Sequence, residues 1–139
     1  MDTPVVLLAE DEPDIVRLVT YILRREGFAV RTVTTGREAV DAVRQEKVDL
    51  VLLDIMLPEL NGYGVCEVLR DDPLTRHIPI VVMSARAQAR EVERGLEAGA
   101  VSYITKPFEP AQLGEQIRAA LTAATGGRAT SGAGDGLPR

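Results

Sequence analysis

Five polar residues stand at the ends of apolar, strand-like runs, and their types suit chemistry at phosphorus. Glu10 and Asp11 follow Val5-Val6-Leu7-Leu8-Ala9, and Asp54 follows Leu50-Val51-Leu52-Leu53. Ser84 follows Ile78-Pro79-Ile80-Val81-Val82-Met83, and Lys106 stands just past Val101-Ser102-Tyr103-Ile104, within Thr105-Lys106-Pro107-Phe108. Singly, each is an ordinary polar residue at a strand end or in a turn. In a parallel sheet, however, all strands point their carboxyl ends the same way. If the first and third runs are neighbours, Glu10, Asp11 and Asp54 converge on one cleft. Three like charges so placed repel and raise one another's pKa. A hard divalent cation relieves that repulsion, and oxygen ligands suit Mg²⁺. Beside such a cluster the Lys106 ammonium would neutralise an incoming phosphoryl group and the Ser84 hydroxyl would donate it a hydrogen bond.

The elements that must position these residues are legible in the apolar pattern. The first, third and fourth runs are continuously apolar, as strands buried on both faces are. Ala29-Val30-Arg31-Thr32-Val33 alternates and suits a sheet edge. Helical spacing fills the gaps. Ile15, Leu18, Val19, Ile22 and Leu23 share a face behind Pro13, a favoured first-turn residue, and Gly27 follows as a stop. Ala39, Val40 and Val43 mark a second helix, and Val65, Val68 and Leu69 a third, short one after Gly62. Val92, Leu96 and Ala98 mark a fourth, whose thin apolar face predicts the loosest element. Leu113, Ile117, Ala120 and Leu121 mark a fifth, opened by Pro110. Strands alternating with helices imply an α/β fold, a doubly wound five-stranded parallel sheet with five helices. Ligands of such sheets bind outside the carboxyl ends of the strands.

Composition bounds the function. The chain has 139 residues, 45% hydrophobic and 27% charged, as expected of one soluble domain. The net charge is −5 and no block of Lys and Arg occurs, so nucleic-acid binding by this domain has no support. No apolar run approaches the roughly 18 residues of a membrane span, and Met1-Asp2-Thr3-Pro4 lacks the basic start of a secretory signal. The single cysteine, Cys66, falls in an apolar-periodic segment and reads as a structural thiol, which points to a reducing, cytoplasmic setting. From Gly126 the chain is rich in glycine and lacks periodicity, so residues 1–124 are expected to form the domain and 125–139 a flexible tail or truncated linker.

Four motifs in order resemble the receiver domains of two-component response regulators, among them the chemotaxis receivers. They are Glu10-Asp11, the run from Asp54 through Ile55-Met56-Leu57-Pro58-Glu59-Leu60-Asn61 to Gly62, Ser84-Ala85, and Lys106-Pro107-Phe108. The resemblance spans residues 4 to about 124 and implies the flavodoxin-like strand order 2-1-3-4-5. It further implies that Asp54 is the phosphoacceptor, that Glu10, Asp11, Asp54 and the backbone carbonyl of Met56 hold Mg²⁺, and that Ser84 and Lys106 bind the phosphoryl oxygens. Tyr103 would be the aromatic switch that turns inward as Ser84 shifts, and Lys106–Pro107 a cis peptide. Glu10 stands where Asp is commoner, and Ser84 where Thr is.

The expected function is phosphoacceptor signalling: a histidine kinase or phosphotransfer protein phosphorylates Asp54, and a changed conformation controls a partner or output domain. The effector face would be the fourth helix, fifth strand and fifth helix, with the protein a monomer or a phosphorylation-dependent dimer. Met56 and Arg86 are expected to flank the path of the hydrolytic water and to set a slow-to-moderate self-dephosphorylation, since a thioether holds water weakly. Two rivals exist. A Mg²⁺-dependent aspartyl phosphatase would place a second Asp two residues after the nucleophile, where Met56 stands. A pseudo-receiver binding module would have lost the acceptor, the acidic pair or the lysine, all retained here. The chain is therefore expected not to be a conventional enzyme. His77, the sole histidine, reads as an exposed loop residue.

Overall fold

The computed structural model describes residues 3–85 and 89–132. Strands and helices alternate: β1 (Val5–Ala9), α1 (Pro13–Arg25), β2 (Ala29–Val33), α2 (Gly36–Gln45), β3 (Leu50–Asp54), α3 (Gly62–Asp71), β4 (Ile80–Ser84), α4 (Ala89–Ala98), β5 (Ser102–Thr105) and α5 (Pro110–Gly132). All neighbouring strands run parallel in the order β2-β1-β3-β4-β5. The alternating run of β2 lies at an edge, as its pattern predicts.

Local chemistry sets the helix ends. Pro13 opens α1, where its missing N–H costs nothing, and Gly27, at φ 98°, closes it. The Thr35 hydroxyl accepts the Glu38 N–H at 3.0 Å to cap α2. The Glu38 carboxylate reaches back to the Thr34 N–H at 3.0 Å, which holds its pKa below the ordinary value. The Asn61 side chain caps α3 through the Gly64 N–H at 3.0 Å.

Successive residues of the central strands feed two cores on opposite faces of the sheet. Leu7, Val51, Leu53 and Val82 pack with Ala39 and Val43 of α2 and Val65 and Leu69 of α3. Val6, Leu8, Leu50, Leu52, Val81 and Met83 pack with Val19 and Leu23 of α1 and Leu113 and Ile117 of α5. Cys66 is buried in the first core, where burial pushes its thiol up to about 12. His77 is exposed in the α3–β4 loop.

Several boundaries differ from the sequence reading, among them those of β3, β4 and α5. Asp54 and Ser84 are the last residues of their strands and not the residues after them. β4 begins at Ile80, because Pro79 has no N–H to give the ladder; its carbonyl still accepts the Val51 N–H at 3.0 Å. α5 continues to Gly132, past the Gly126 at which the sequence suggested a tail, and residues 133–139 lie outside the described residues.

Candidate functional site

Strand register brings the polar residues together. Ala9 pairs with Leu53, so the next residues, Glu10 and Asp54, lie side by side. Asp54 pairs with Met83, one residue before Ser84, and Ser84 pairs with Thr105, one residue before Lys106. Backbone bonds continue past the strands: Glu10 N–H to the Val33 carbonyl at 3.1 Å, Ile55 N–H to that of Met83 at 3.1 Å, and Lys106 N–H to that of Ser84 at 2.8 Å. The site residues are thus fixed by the sheet itself, and only their side chains are free to adjust.

Carboxylate oxygens of Glu10, Asp11 and Asp54 lie within 4.8 Å of one another, a spacing that fits one metal ion. Glu10 is fully buried, Asp54 is 5% exposed, and Asp11 is open to solvent. The Lys106 ammonium spans the cluster, 2.8 Å from Glu10 Oε1, 3.6 Å from Asp54 Oδ2 and 3.8 Å from Glu12 Oε1. The second oxygen of Glu10 accepts the Glu12 N–H at 3.1 Å. Burial raises the Glu10 pKa, opposed by the Lys106 hydrogen bond and the Glu12 N–H and assisted by the charge of Asp54. Burial pulls the Lys106 pKa down, but the Glu10 hydrogen bond and the charges of Asp54, Glu10 and Glu12 outweigh it, so the ammonium titrates above its ordinary value. A partly buried cation beside two buried carboxylates is thereby held charged.

Ser84 is 2% exposed at the end of β4, beside Asp54. Met56 lies on the rim, 59% exposed. Its loop is carried on α2: the Gly36 N–H bonds the Pro58 carbonyl at 3.2 Å, and a β-carbon at Gly36 would come within 1.7 Å of the Leu60 carbonyl oxygen. The Lys106–Pro107 peptide is cis. Tyr103 is half-buried, its ring against Gly95 of α4. Arg86 lies outside the described residues. Sequence reasoning missed Glu12, whose position two residues after Glu10 was the available signal. It also missed Tyr63, which joins α3 to α4.

Residues 6–118 match the family model described as the response regulator receiver domain. The chain belongs to this family. Among curated proteins, the receiver is 43% identical over 116 residues to the DNA-binding response regulator MtrA of Mycolicibacterium smegmatis, covering 84% of this chain and 50% of that protein. It is 43% identical over 133 residues to the transcriptional regulatory protein CseB of Streptomyces coelicolor, covering 93% of this chain and 55% of that one. The chain therefore spans about half the length of these curated relatives. Among solved structures it resembles the receiver domain of sensor histidine kinase PA1611 from Pseudomonas aeruginosa, described with a magnesium ion coordinated in the active-site cleft. That match has a TM-score of 0.80 at 31% identity and covers 86% of this chain and 98% of that one. A receiver domain is a signalling domain, and the fold, strand order and function read from the motifs agree with this membership. No helix among the described residues is long and apolar enough to cross a membrane.

Proposed function

We propose that Asp54 is the phosphoacceptor of this receiver. What chiefly supports this is a nearly buried aspartate whose oxygen shares a 4.8 Å cluster with those of Glu10 and Asp11 and lies 3.6 Å from the Lys106 ammonium. The Asp54 carboxylate attacks the phosphorus of a phosphohistidine in line, the P–N bond breaks, and the imidazole leaves with its electron pair. The product is an acyl phosphate that water hydrolyses, so each phosphorylation is a single turnover and not conventional enzyme action. Glu10, Asp11, Asp54 and the Met56 carbonyl would hold Mg²⁺. Bound there, the ion supplies charge neutralisation to the phosphoryl oxygens. Lys106 neutralises the remaining charge, and Ser84, one residue beyond the partner of Asp54 in β4, donates to a phosphoryl oxygen.

Phosphorylation adds roughly 1.5 to 2 negative charges. Ser84 and Lys106 move toward them, Tyr103 turns inward, and the α4-β5-α5 face changes for an effector or a second copy. A coupling on the order of 1–3 kcal/mol biases an existing equilibrium. The phosphodonor is a cytoplasmic histidine kinase or phosphotransfer protein. MtrA is described as DNA-binding, and this chain spans half of it. Residues 1–124 are accordingly assigned to reception, α5 runs on from there to Gly132, and any contact to DNA is left to an output domain.

Acetyl phosphate with Mg²⁺ tests the acceptor. The intact protein should gain one phosphoryl group, lost in EDTA and absent in Asp54→Asn. Labelling of Asp54→Asn equal to that of the wild type would refute the assignment, and steady turnover of a phosphate ester would favour the phosphatase reading.

A further inference from the structure

One group of polar and aromatic contacts outside the acceptor site lies at a turn of α4. Glu91, Arg94 and Gly95 share a helix face at i, i+3 and i+4 spacing. Opposite them stands Tyr63, the second residue of α3, 5% exposed. Its hydroxyl donates to Glu91 Oε1 at 2.7 Å and lies 3.4 Å from the Glu91 carbonyl oxygen. The Arg94 guanidinium carbon lies 4.1 Å from the centre of its ring. A β-carbon at Gly95 would come within 3.2 Å of the Tyr103 ring and 3.9 Å of the Tyr63 ring, so both aromatics meet α4 at this glycine. Ala98 is the one buried apolar side chain of α4 among the described residues. With so little apolar anchorage, side-chain hydrogen bonds to α3 carry much of the attachment. At the other end of α4, Arg70 donates to the Glu97 carbonyl at 3.0 Å.

Tyr63 is also tied to the acceptor strand. It directly follows Gly62, whose N–H bonds the Ile55 carbonyl at 2.9 Å and where a β-carbon would stand 2.9 Å from the Asp54 carbonyl oxygen. The start of α3 cannot shift without disturbing the backbone beside Asp54. Burial, and then the Glu91 hydrogen bond, raise the Tyr63 pKa, so the phenol stays a proton donor.

We propose that Tyr63 is a positioning residue that clasps α4 to the start of α3, keeps Tyr103 seated on Gly95, and opposes the displacement of α4 that switching requires. This rests on the reading of Asp54 and Tyr103 given above. Switching must break or stretch the Tyr63–Glu91 bond, so the clasp sets how readily the phosphorylated arrangement is reached. Residue 63 thereby tunes the response without touching the phosphoryl group.

Amide hydrogen exchange and a beryllofluoride titration with Mg²⁺, followed by NMR on the full chain, test this in wild type, Tyr63→Phe and Glu91→Met. Both variants should exchange the α4 amides about three- to tenfold faster while β1 and β3 stay unchanged. Their beryllofluoride midpoints should fall by a similar factor, because the ligand no longer works against the clasp. Unchanged α4 exchange overturns the proposal. So does faster exchange with an unmoved midpoint, which reduces the clasp to packing. If Tyr63→Phe loosens the whole sheet, Glu91→Met decides, since its residue is only partly buried. Failure of the wild type to bind beryllofluoride would instead sink the reading of Asp54. That outcome is distinct from wild-type binding with identical midpoints in both variants.

Discussion

Replacing Lys106 with methionine keeps an unbranched stem but removes the terminal ammonium, which strands a buried carboxylate. Glu10 has no solvent exposure, and its shortest ionic contact is the 2.8 Å bond to Lys106. Without the ammonium, Glu10 escapes the cost of an unpaired buried charge by taking up a proton. pH 7 stands 2.5 pH units above the ordinary glutamate value of 4.5, so neutralising Glu10 costs at most about 3.4 kcal/mol. Loss on that scale agrees with the roughly 3–5 kcal/mol typical of breaking a buried pair. At pH 5 the same ceiling falls to about 0.7 kcal/mol. In the variant Glu10 titrates higher in the folded than in the unfolded protein. Stability is then fully present below the unfolded value of 4.5 and is lost as the pH rises toward the folded one. Urea denaturation in EDTA at both pH values reads this directly. The variant should be destabilised by about 2–3.4 kcal/mol at pH 7 and by well under half of that at pH 5. An equal loss at the two pH values, or none at pH 7, would refute the assignment of Lys106 as the counter-ion of Glu10.

Met56→Asn places an amide on the exposed rim where a thioether now stands, and it should shorten the lifetime of the acyl phosphate several-fold, read as phosphate release after labelling; an unchanged lifetime removes Met56 from the water path. Among the described residues Thr20 Oγ1 is buried without a hydrogen-bond partner, so Thr20→Val should leave stability equal or raise it by about 1 kcal/mol, and a clear loss in thermal melts would reveal a partner. Cys66, with its thiol at about 12, should resist thiol reagents at pH 8 in the native protein and react on unfolding; rapid native labelling would contradict its burial.

The fold was legible because its rules act locally. Continuous apolar runs announced β1, β3 and β4, alternation announced the edge strand β2, and Pro13, Gly27 and Pro110 punctuated helices where φ or a missing N–H dictates a boundary. The polar cluster was legible for a related reason: register in a parallel sheet turns "last residue of a strand" into "neighbour in a cleft". What the pattern concealed depends on distance in the chain. Nothing near Tyr63 announces Glu91, 28 positions on, because that bond exists only once α3 and α4 pack. Glu12 was hidden differently: it reads as a residue of the turn into α1, and its link to Lys106 follows from where β5 ends. The extension of α5 past Gly126 runs against the low helix preference of glycine, so composition alone pointed elsewhere.

The division of the interior has a practical use. Leu52 and Leu53 are adjacent in β3, yet one packs with α1 and α5 and the other with α2 and α3. Each is fully enclosed, and both stand within two residues of Asp54 in β3. Isotope labels on these two methyl-bearing residues make a pair of back-to-back sensors on a single strand. Their relative response to acetyl phosphate would tell which side of the molecule carries the message outward.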